Sequence, residues 1–292
     1  MSNQRAPVAN RLTSIRRVLL GLLIANLVVV AAKVAVGLAA HSLAVLGDAL
    51  HSGVDALNNV LALVVMRVAT KAPDEDHPYG HGKFETLGAL AVVGFLSITC
   101  FELVRQAANR FTGDHRLPLL SEIQFATLLA TLVINILVTR YEQRRGRQLG
   151  SQLLIADAAH TRTDVLITIG VVIGMLLGRR GWWWIDPVLT FVIAALIVRV
   201  AYKILSTAVP VLVDQRAIVA GDIQRAAEAV DGVKGAYAIR SREGAAARFA
   251  EVTIAVDKDA NVAAAHAIAD EVEERLKRDL QLDEVTVHVE PC

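Results

Sequence analysis

Two segments of the sequence place the same polar pattern inside long apolar runs. The pattern is D-x-x-H-x-x-x-D, at Asp48, His51 and Asp55 and again at Asp157, His160 and Asp164. On a helix, positions i, i+3 and i+7 share one face, so each segment predicts a stripe of two carboxylates and one imidazole. An aspartate at the centre of a membrane helix costs roughly 2.5–3.5 kcal/mol, so four cost on the order of 10 kcal/mol. Such a repeated cost indicates a function.

A bound divalent cation would offset this cost, because carboxylates and neutral imidazoles are ligands for zinc and its neighbours. Two pairs at i, i+4 together supply a tetrahedral set of ligands, namely His51/Asp55 and His160/Asp164. Asp48 and Asp157 lie one turn away, where they could hydrate or cap the site as auxiliary ligands. Two other interpretations remain open, which are hydrogen bonding between helices and a proton relay without metal.

The elements that carry these stripes are predicted to be membrane helices. The chain has 292 residues, of which 54% are hydrophobic and 20% are charged, and this composition favours an integral membrane protein. Its formal net charge of +1 gives no reason to expect a nucleic-acid partner. The two cysteines, Cys100 and Cys292, cannot form a disulfide framework.

Six apolar runs are long enough to cross a lipid bilayer, which takes about 20 residues each. They cover roughly residues 16–39, 43–69, 84–111, 121–140, 151–178 and 185–206. Arginines concentrate before the first run and after the fourth, so the positive-inside rule places both termini in the cytoplasm. Compact loops and alanine- and arginine-rich usage favour a bacterial inner membrane.

The character of the chain changes near residue 210. Residues 1–209 are predicted to form a six-helix transmembrane domain, and residues 210–292 a soluble C-terminal domain. The periodicities of the second part predict the order helix, strand, strand, helix, strand. This αββαβ order indicates a small α+β domain of ferredoxin-like or metallochaperone-like type. A domain of about 80 residues gains stability from pairing with a copy of itself.

A third group of metal-ligand side chains lies in the loop "PDEDHPYGHGK" after the second apolar run. It contains Asp74, His77 and His81, with Asp76 as a spare carboxylate. The prolines and glycines of this loop favour a solvated turn. Spacing alone leaves open whether the loop is a metal site or an ordinary turn.

Together, "HSGVD", "HTRTD", "DHPYGHGKFE" and the αββαβ domain resemble the cation diffusion facilitator family of zinc-transporter-like metal/proton antiporters, over residues 14–292. The resemblance implies that His51, Asp55, His160 and Asp164 form the transport site. It implies a homodimer, joined through its cytoplasmic domains, that exports zinc in exchange for protons by alternating access. Cadmium, cobalt, iron and manganese would suit the same ligands as substrates. The protein is then a secondary transporter and not an enzyme.

The resemblance also assigns residues around the second helix. Asp74, His77 and His81 match a three-ligand zinc site in the family's loop. Lys83 matches a family lysine that pairs with an acidic residue after the sixth helix, for which Asp214 is the candidate here. The resemblance therefore implies an ion pair between the two domains.

The C-terminal domain departs from the family pattern. His266, His288 and Glu290 match family metal ligands, whereas two further family histidines fall at Tyr237 and Thr253. Tyrosine and threonine are poor zinc ligands, so a binuclear site is not expected and a mononuclear site with three ligands remains. The role of this domain is then dimerisation, with metal sensing as a second hypothesis.

Two rival functions remain for the whole chain. A metal sensor or partner subunit could keep the fold without transport. An intramembrane metalloenzyme would need an activating base, and no H-E-x-x-H motif occurs. Arg162 lies on a different helix face from the polar stripe, and the sequence gives it no partner.

Overall fold

The structure is a computed structural model that describes residues 8–39, 43–112, 122–178, 180, 182, 184–244 and 247–292. Six long helices come first, which are α1 (Val8–Ala39), α2 (Leu43–Ala69), α3 (Lys83–Thr112), α4 (Glu122–Leu149), α5 (Gln152–Gly178) and α6 (Ile185–Leu212). Five shorter elements follow, which are α7 (Ala220–Glu228), β1 (Gly235–Glu243), β2 (Arg248–Val256), α8 (Val262–Leu280) and β3 (Glu284–Pro291). Contacts divide the chain into two compact units, Met1–Ala208 and Val209–Cys292.

Each of the six apolar runs corresponds to one long helix. Within the described residues, five helices are long and apolar enough to cross a membrane, which are α1, α2, α3, α4 and α6. Helix α5 has a similar length of 27 residues and carries the second polar stripe in its first half. A helix satisfies its backbone hydrogen bonds internally, so helices of this length can cross lipid without other partners for their backbone.

Three helices extend beyond the predicted apolar runs. Helix α1 begins at Val8, α4 continues to Leu149 and α6 continues through Pro210 to Leu212. Hydropathy marks where a segment leaves the hydrocarbon, whereas a helix can continue as long as its side chains find partners. In the extension of α4, Glu142 and Gly146 are buried, so this part packs against the protein rather than ending in solvent.

The first unit has two apolar clusters that hold its helices together. One cluster joins α1, α2 and α5 through Ile15, Val18, Leu19, Leu22, Ala62, Met66, Leu153 and Leu154. The other joins α3 to α6 through Leu96, Ile193 and Ile197. Because α2 and α5 contribute to the same cluster, the two helices with polar stripes lie in one part of the bundle.

The second unit has the predicted αββαβ order. Its sheet has the strand order β1-β2-β3, with β1 antiparallel and β3 parallel to the central β2. In the register, Thr253 pairs with Tyr237 on one side and with His288 on the other. Helix α8 begins after Asn261, whose side chain accepts a hydrogen bond from the Ala264 amide as an N-cap. The prediction of a small α+β domain is confirmed.

Candidate functional site

Helices α2 and α5 bring three metal-ligand side chains together inside the bundle. Asp55 on α2 lies beside His160 and Asp164 on α5, and their ligand atoms are all within 4.8 Å of one another. His160 Nε2 is 3.7 Å from Asp55 Oδ1 and 3.9 Å from Asp164 Oδ2. All three side chains are largely shielded from solvent. This group, called here the intramembrane centre, has the donor set for a divalent transition metal.

The fourth expected ligand is His51, whose side chain lies outside the described residues. Its backbone is in α2, one turn before Asp55. Residues at i and i+4 lie on one face of a helix. The structure therefore assembles three of the four predicted ligands and leaves the fourth as a prediction.

Asp157 lies beside the intramembrane centre and is not one of its three grouped ligands. It is buried, and it lines a cavity of about 180 Å³ together with His160 and Asn58. The remaining walls of this cavity are apolar side chains of α2, α3 and α5. Within the described part of the chain, Asp157 Oδ2 and His160 Nδ1 are buried without a hydrogen-bond partner. Both atoms are therefore available to water or a cation in this part of the bundle.

Glu142 is a second buried carboxyl near this position that the sequence analysis missed. It belongs to the extension of α4 beyond the predicted membrane run, and its Oε2 accepts a hydrogen bond from Thr161 of α5 at 3.4 Å. Because arginines surround Glu142 in the sequence, the pattern predicted that this segment is a helix end exposed to solvent. Only the packing of α4 against α5 shows that Glu142 faces inward.

Asp48, the other expected auxiliary residue, has a partner on α1. Lys33 Nζ lies 2.8 Å from Asp48 Oδ2 and donates to Ser52 Oγ at 2.8 Å. Lys33 and Ser52 are both buried. The only sequence signal for this contact was one lysine in the first apolar run, and its partner depends on how α1 packs on α2.

The loop between α2 and α3 forms a second group of three ligands, called here the loop centre. The ligand atoms of Asp74, His77 and His81 lie within 4.8 Å of one another. The His77 amide donates to Asp74 Oδ1 at 2.8 Å, and His81 Nε2 lies 3.4 Å from Asp74 Oδ2. His81 is buried beside Phe84, and its Nδ1 finds no hydrogen-bond partner among the described atoms. One carboxylate and two imidazoles in this arrangement fit a zinc-type ion.

The electrostatics of the loop centre favour an ionised carboxylate. Desolvation alone would raise the pKa of Asp74. The hydrogen bonds from the His77 amide and ring, together with the nearby charges of His81 and His77, outweigh it and lower this pKa below its ordinary value of 3.8. Asp74 therefore remains a negatively charged ligand at neutral and mildly acidic pH.

The C-terminal residues do not form a comparable group. His266 lies 3.7 Å from Asp270 on α8, and His288 lies 3.6 Å from Glu290 on β3. The Tyr237 hydroxyl donates a hydrogen bond to Glu290, and this bond is the main reason that the pKa of Tyr237 is raised. In the described ranges, His266 is not grouped with His288 and Glu290. The mononuclear site stays a prediction.

The proposed interdomain ion pair involves one residue from each unit. Lys83 is the first residue of α3, and Asp214 lies in the second unit, where Arg242 Nη1 donates to its Oδ1 at 3.4 Å. Asp214 thus has a partner inside its own unit. The Lys83–Asp214 pair also stays a prediction.

Comparison with known proteins covers almost the whole chain. Residues 19–213 match the family model "Cation efflux transmembrane domain", and residues 216–292 match "Cation efflux protein, cytoplasmic domain". The chain is 32% identical over 271 residues to the manganese efflux system protein MneS of Bacillus subtilis, covering 91% of this chain and 92% of that protein. It is 32% identical over 288 residues to MneP of the same organism, covering 94% and 96%.

A third relative is the cation-efflux pump FieF of Shewanella oneidensis, which is 26% identical over 272 residues and covers 91% of this chain and 90% of that protein. These relatives are transporters and not enzymes, in agreement with the expectation from the sequence. Both family models and the long apolar helices identify a membrane protein with an appended cytoplasmic-type domain. The chain belongs to the cation diffusion facilitator family of metal-efflux transporters.

Proposed function

We propose that this protein exports a divalent transition metal, zinc in the first place, by exchanging it for protons at the intramembrane centre. The observation that carries the proposal is the approach of Asp55 on α2 to His160 and Asp164 on α5. His51 would complete a set of two histidines and two aspartates. Because the ligands belong to two helices, a change in the packing of α2 against α5 could open the centre to one side and then to the other.

Coupling to protons follows from the chemistry of the ligands. Histidine binds a metal only as neutral imidazole, and an aspartate binds it as carboxylate, so bound metal and bound protons exclude one another on the same atoms. Free imidazole titrates near neutral pH, which makes proton exchange feasible under cellular conditions. Proton binding would then release the metal and reset the empty centre.

Manganese is a second candidate substrate. The relatives MneS and MneP are both named as manganese efflux proteins, and the carboxylates of Asp55 and Asp164 suit manganese as well as zinc. The imidazole of His160 favours zinc in comparison. Competition between the two metals for the same centre is therefore part of the test.

The loop centre would hold its own ion through Asp74, His77 and His81. All three ligands belong to one segment, in which hydrogen bonds link His77 to Asp74 and His81 Nε2 lies 3.4 Å from Asp74 Oδ2. We place this segment and both termini on the cytoplasmic side of a bacterial inner membrane.

The C-terminal domain would join two chains into a homodimer, in agreement with the family to which residues 216–292 belong.

The decisive experiment measures metal flux in proteoliposomes that contain a pH-sensitive dye. The natural protein should move zinc with an opposing proton flux, and Asp164→Ala should abolish both. Asp231→Asn changes an exposed carboxylate of the second unit and serves as a control with unchanged flux. Added manganese should reduce zinc flux if the two metals share the centre.

Two results would replace the proposal by another function. Proton movement that does not depend on metal would indicate a proton relay. The absence of any flux from vesicles shown to bind zinc would indicate a sensor or partner subunit.

A further inference from the structure

A buried lysine lies in the first membrane helix, away from the three grouped ligands of the intramembrane centre. Lys33 is 4% exposed, and its ammonium group contacts Asp48 and Ser52 of α2 at 2.8 Å each. A lysine at the centre of a membrane helix costs roughly 2.5–3.5 kcal/mol on insertion scales, and Lys33, in the second half of α1, is buried among protein atoms. A neutral side chain could also form a hydrogen bond between α1 and α2, so the presence of a charged lysine at this position needs a separate explanation.

The position of Asp48 supplies that explanation. Asp48 and Asp55 are at i and i+7 on α2, on the same helix face and about 10 Å apart along the axis. Asp48 lies toward the α1–α2 end of the helix, whereas the loop centre follows the opposite end. An ion that leaves the intramembrane centre toward the α1–α2 end would therefore pass Asp48, whose side chain is 39% exposed.

A carboxylate without a cationic partner at this position would attract the departing metal. Transport requires that an ion bind strongly enough to enter and weakly enough to leave. A lysine ammonium is a compact positive charge with three donors and no acceptor. Its contacts with Asp48 and Ser52 neutralise the carboxylate and place a positive charge where a divalent ion would otherwise bind.

We propose that Lys33 is a tethered cation that occupies Asp48 and prevents divalent metal from being retained between the intramembrane centre and the α1–α2 end. The inference rests on the proposed metal efflux, and it adds a residue of α1 that determines how many ions the membrane unit holds. Lys33 is a positioning residue, because it acts on the metal through Asp48.

The test uses the full-length protein with the loop ligands replaced, as Asp74→Ala/His77→Ala/His81→Ala, so that bound zinc reports the membrane unit. Equilibrium dialysis against zinc should show an additional binding step in Lys33→Met, weaker than that of the intramembrane centre because Asp48 is a single carboxylate. The initial rate of zinc efflux should fall roughly tenfold in the same variant. Adding Asp48→Asn to Lys33→Met should reverse both changes, and Lys33→Arg should behave as the lysine does because it keeps the charge.

The gain of a bound ion separates this role from a merely structural one, because a loosened helix pair would lose zinc and not gain it. Lys33→Gln keeps a hydrogen-bond donor without the charge and decides the question if Lys33→Met does not fold. Unchanged zinc binding in the folded variant would overturn the proposal, and so would unfolding of both variants, which would make the pair structural. The binding measurement does not depend on flux, so a natural protein that moves no zinc would refute the proposed function separately.

Discussion

The loop centre and the intramembrane centre use the same kinds of ligand but are built in different ways. In the loop, Asp74, His77 and His81 belong to one short segment, in which His77 is hydrogen-bonded to Asp74 and His81 lies 3.4 Å from Asp74. In the membrane unit, Asp55 comes from α2 and its partners from α5, about a hundred residues later in the chain. One centre is determined by local structure and the other by helix packing.

This difference indicates what each centre can do with a metal. The loop ligands belong to one connection between α2 and α3, so we expect their mutual distances to change less than those of the intramembrane centre when the helices move. The distance from Asp55 to His160 changes whenever α2 moves against α5. A locally built centre suits an ion that stays bound, and a centre shared by two helices suits an ion that is passed on.

The largest expected effect is a loss of zinc flux that is much greater when the intramembrane centre is changed than when the loop centre is changed. Asp55→Asn should reduce zinc flux by at least about 100-fold, because loss of residues that only support a metal ligand already costs about 10–100-fold. Asp74→Asn makes the same chemical change in the loop and should reduce flux far less. Flux in proteoliposomes measures both, and equal losses would show that the loop centre belongs to the transport site.

A second prediction tests the dependence on helix packing. Gly88 of α3 lies between the two ligand-bearing helices, and a Cβ there would lie 2.7 Å from Val65 Cγ1 of α2 and 3.2 Å from Leu153 Cδ1 of α5. Gly88→Val should overpack this contact and lower the stability of the protein by about 1–3 kcal/mol. Zinc binding at the intramembrane centre should weaken roughly tenfold. Zinc binding at the loop centre should not change.

Gly94→Val is the matched control for this change. Gly94 is on the same helix, and a Cβ there would have no described atom within 4 Å. Dialysis against zinc, with one centre removed at a time, separates the two affinities. A loss of loop binding in Gly88→Val but not in Gly94→Val would contradict the independence of the loop centre.

The same contrast explains what could be predicted from the sequence. Asp74, His77 and His81 are close in the chain, and the stripe of α5 follows from helical spacing, so these groups were visible as patterns. The salt bridge of Lys33 with Asp48 and the inward position of Glu142 were not, because each depends on which helix faces which. Hydropathy could not show that α4 continues to Leu149, since this end is stabilised by packing and not by lipid.

The third prediction concerns the pH dependence of the loop centre. The pKa of Asp74 lies below its ordinary value of 3.8, so the stabilisation that its charge provides is present above that value and is lost only as the pH falls through the lowered pKa. A histidine binds zinc only as neutral imidazole, whereas the Asp74 carboxylate stays charged over this range. The affinity of the loop centre for zinc should therefore fall as the pH is lowered, and the two histidines should account for this fall.

His77→Ala should make the fall of affinity with pH less steep, whereas Asp74→Asn should lower the affinity without changing how steeply it falls. Dialysis against zinc from pH 5 to pH 8 in the Asp164→Ala background measures the loop centre apart from the transport site. A less steep fall in Asp74→Asn would mean that the carboxyl also takes up a proton in this range.

The smallest expected effect concerns the C-terminal domain, where Tyr237 and the ligand-type residues His288 and Glu290 lie in one sheet. Tyr237 pairs with Thr253 of the central strand, which pairs with His288 on its other side, and the Tyr237 hydroxyl donates a hydrogen bond to Glu290. Tyr237→His would release Glu290 and add an imidazole, which gives three candidate ligands with His288. We expect weak binding of one further zinc ion per chain, with zinc flux unchanged.

Tyr237→Phe separates the two consequences of this substitution, because it releases Glu290 without adding a ligand. His288 and Glu290 are both exposed, and water would complete most of a zinc coordination shell there, so Tyr237→Phe should bind zinc much more weakly than Tyr237→His. Dialysis of the full-length protein with both other centres removed makes the comparison. Equal binding by the two variants would mean that Tyr237 blocks a site that His288 and Glu290 already form, and the C-terminal domain would then hold a local centre of the same kind as the loop.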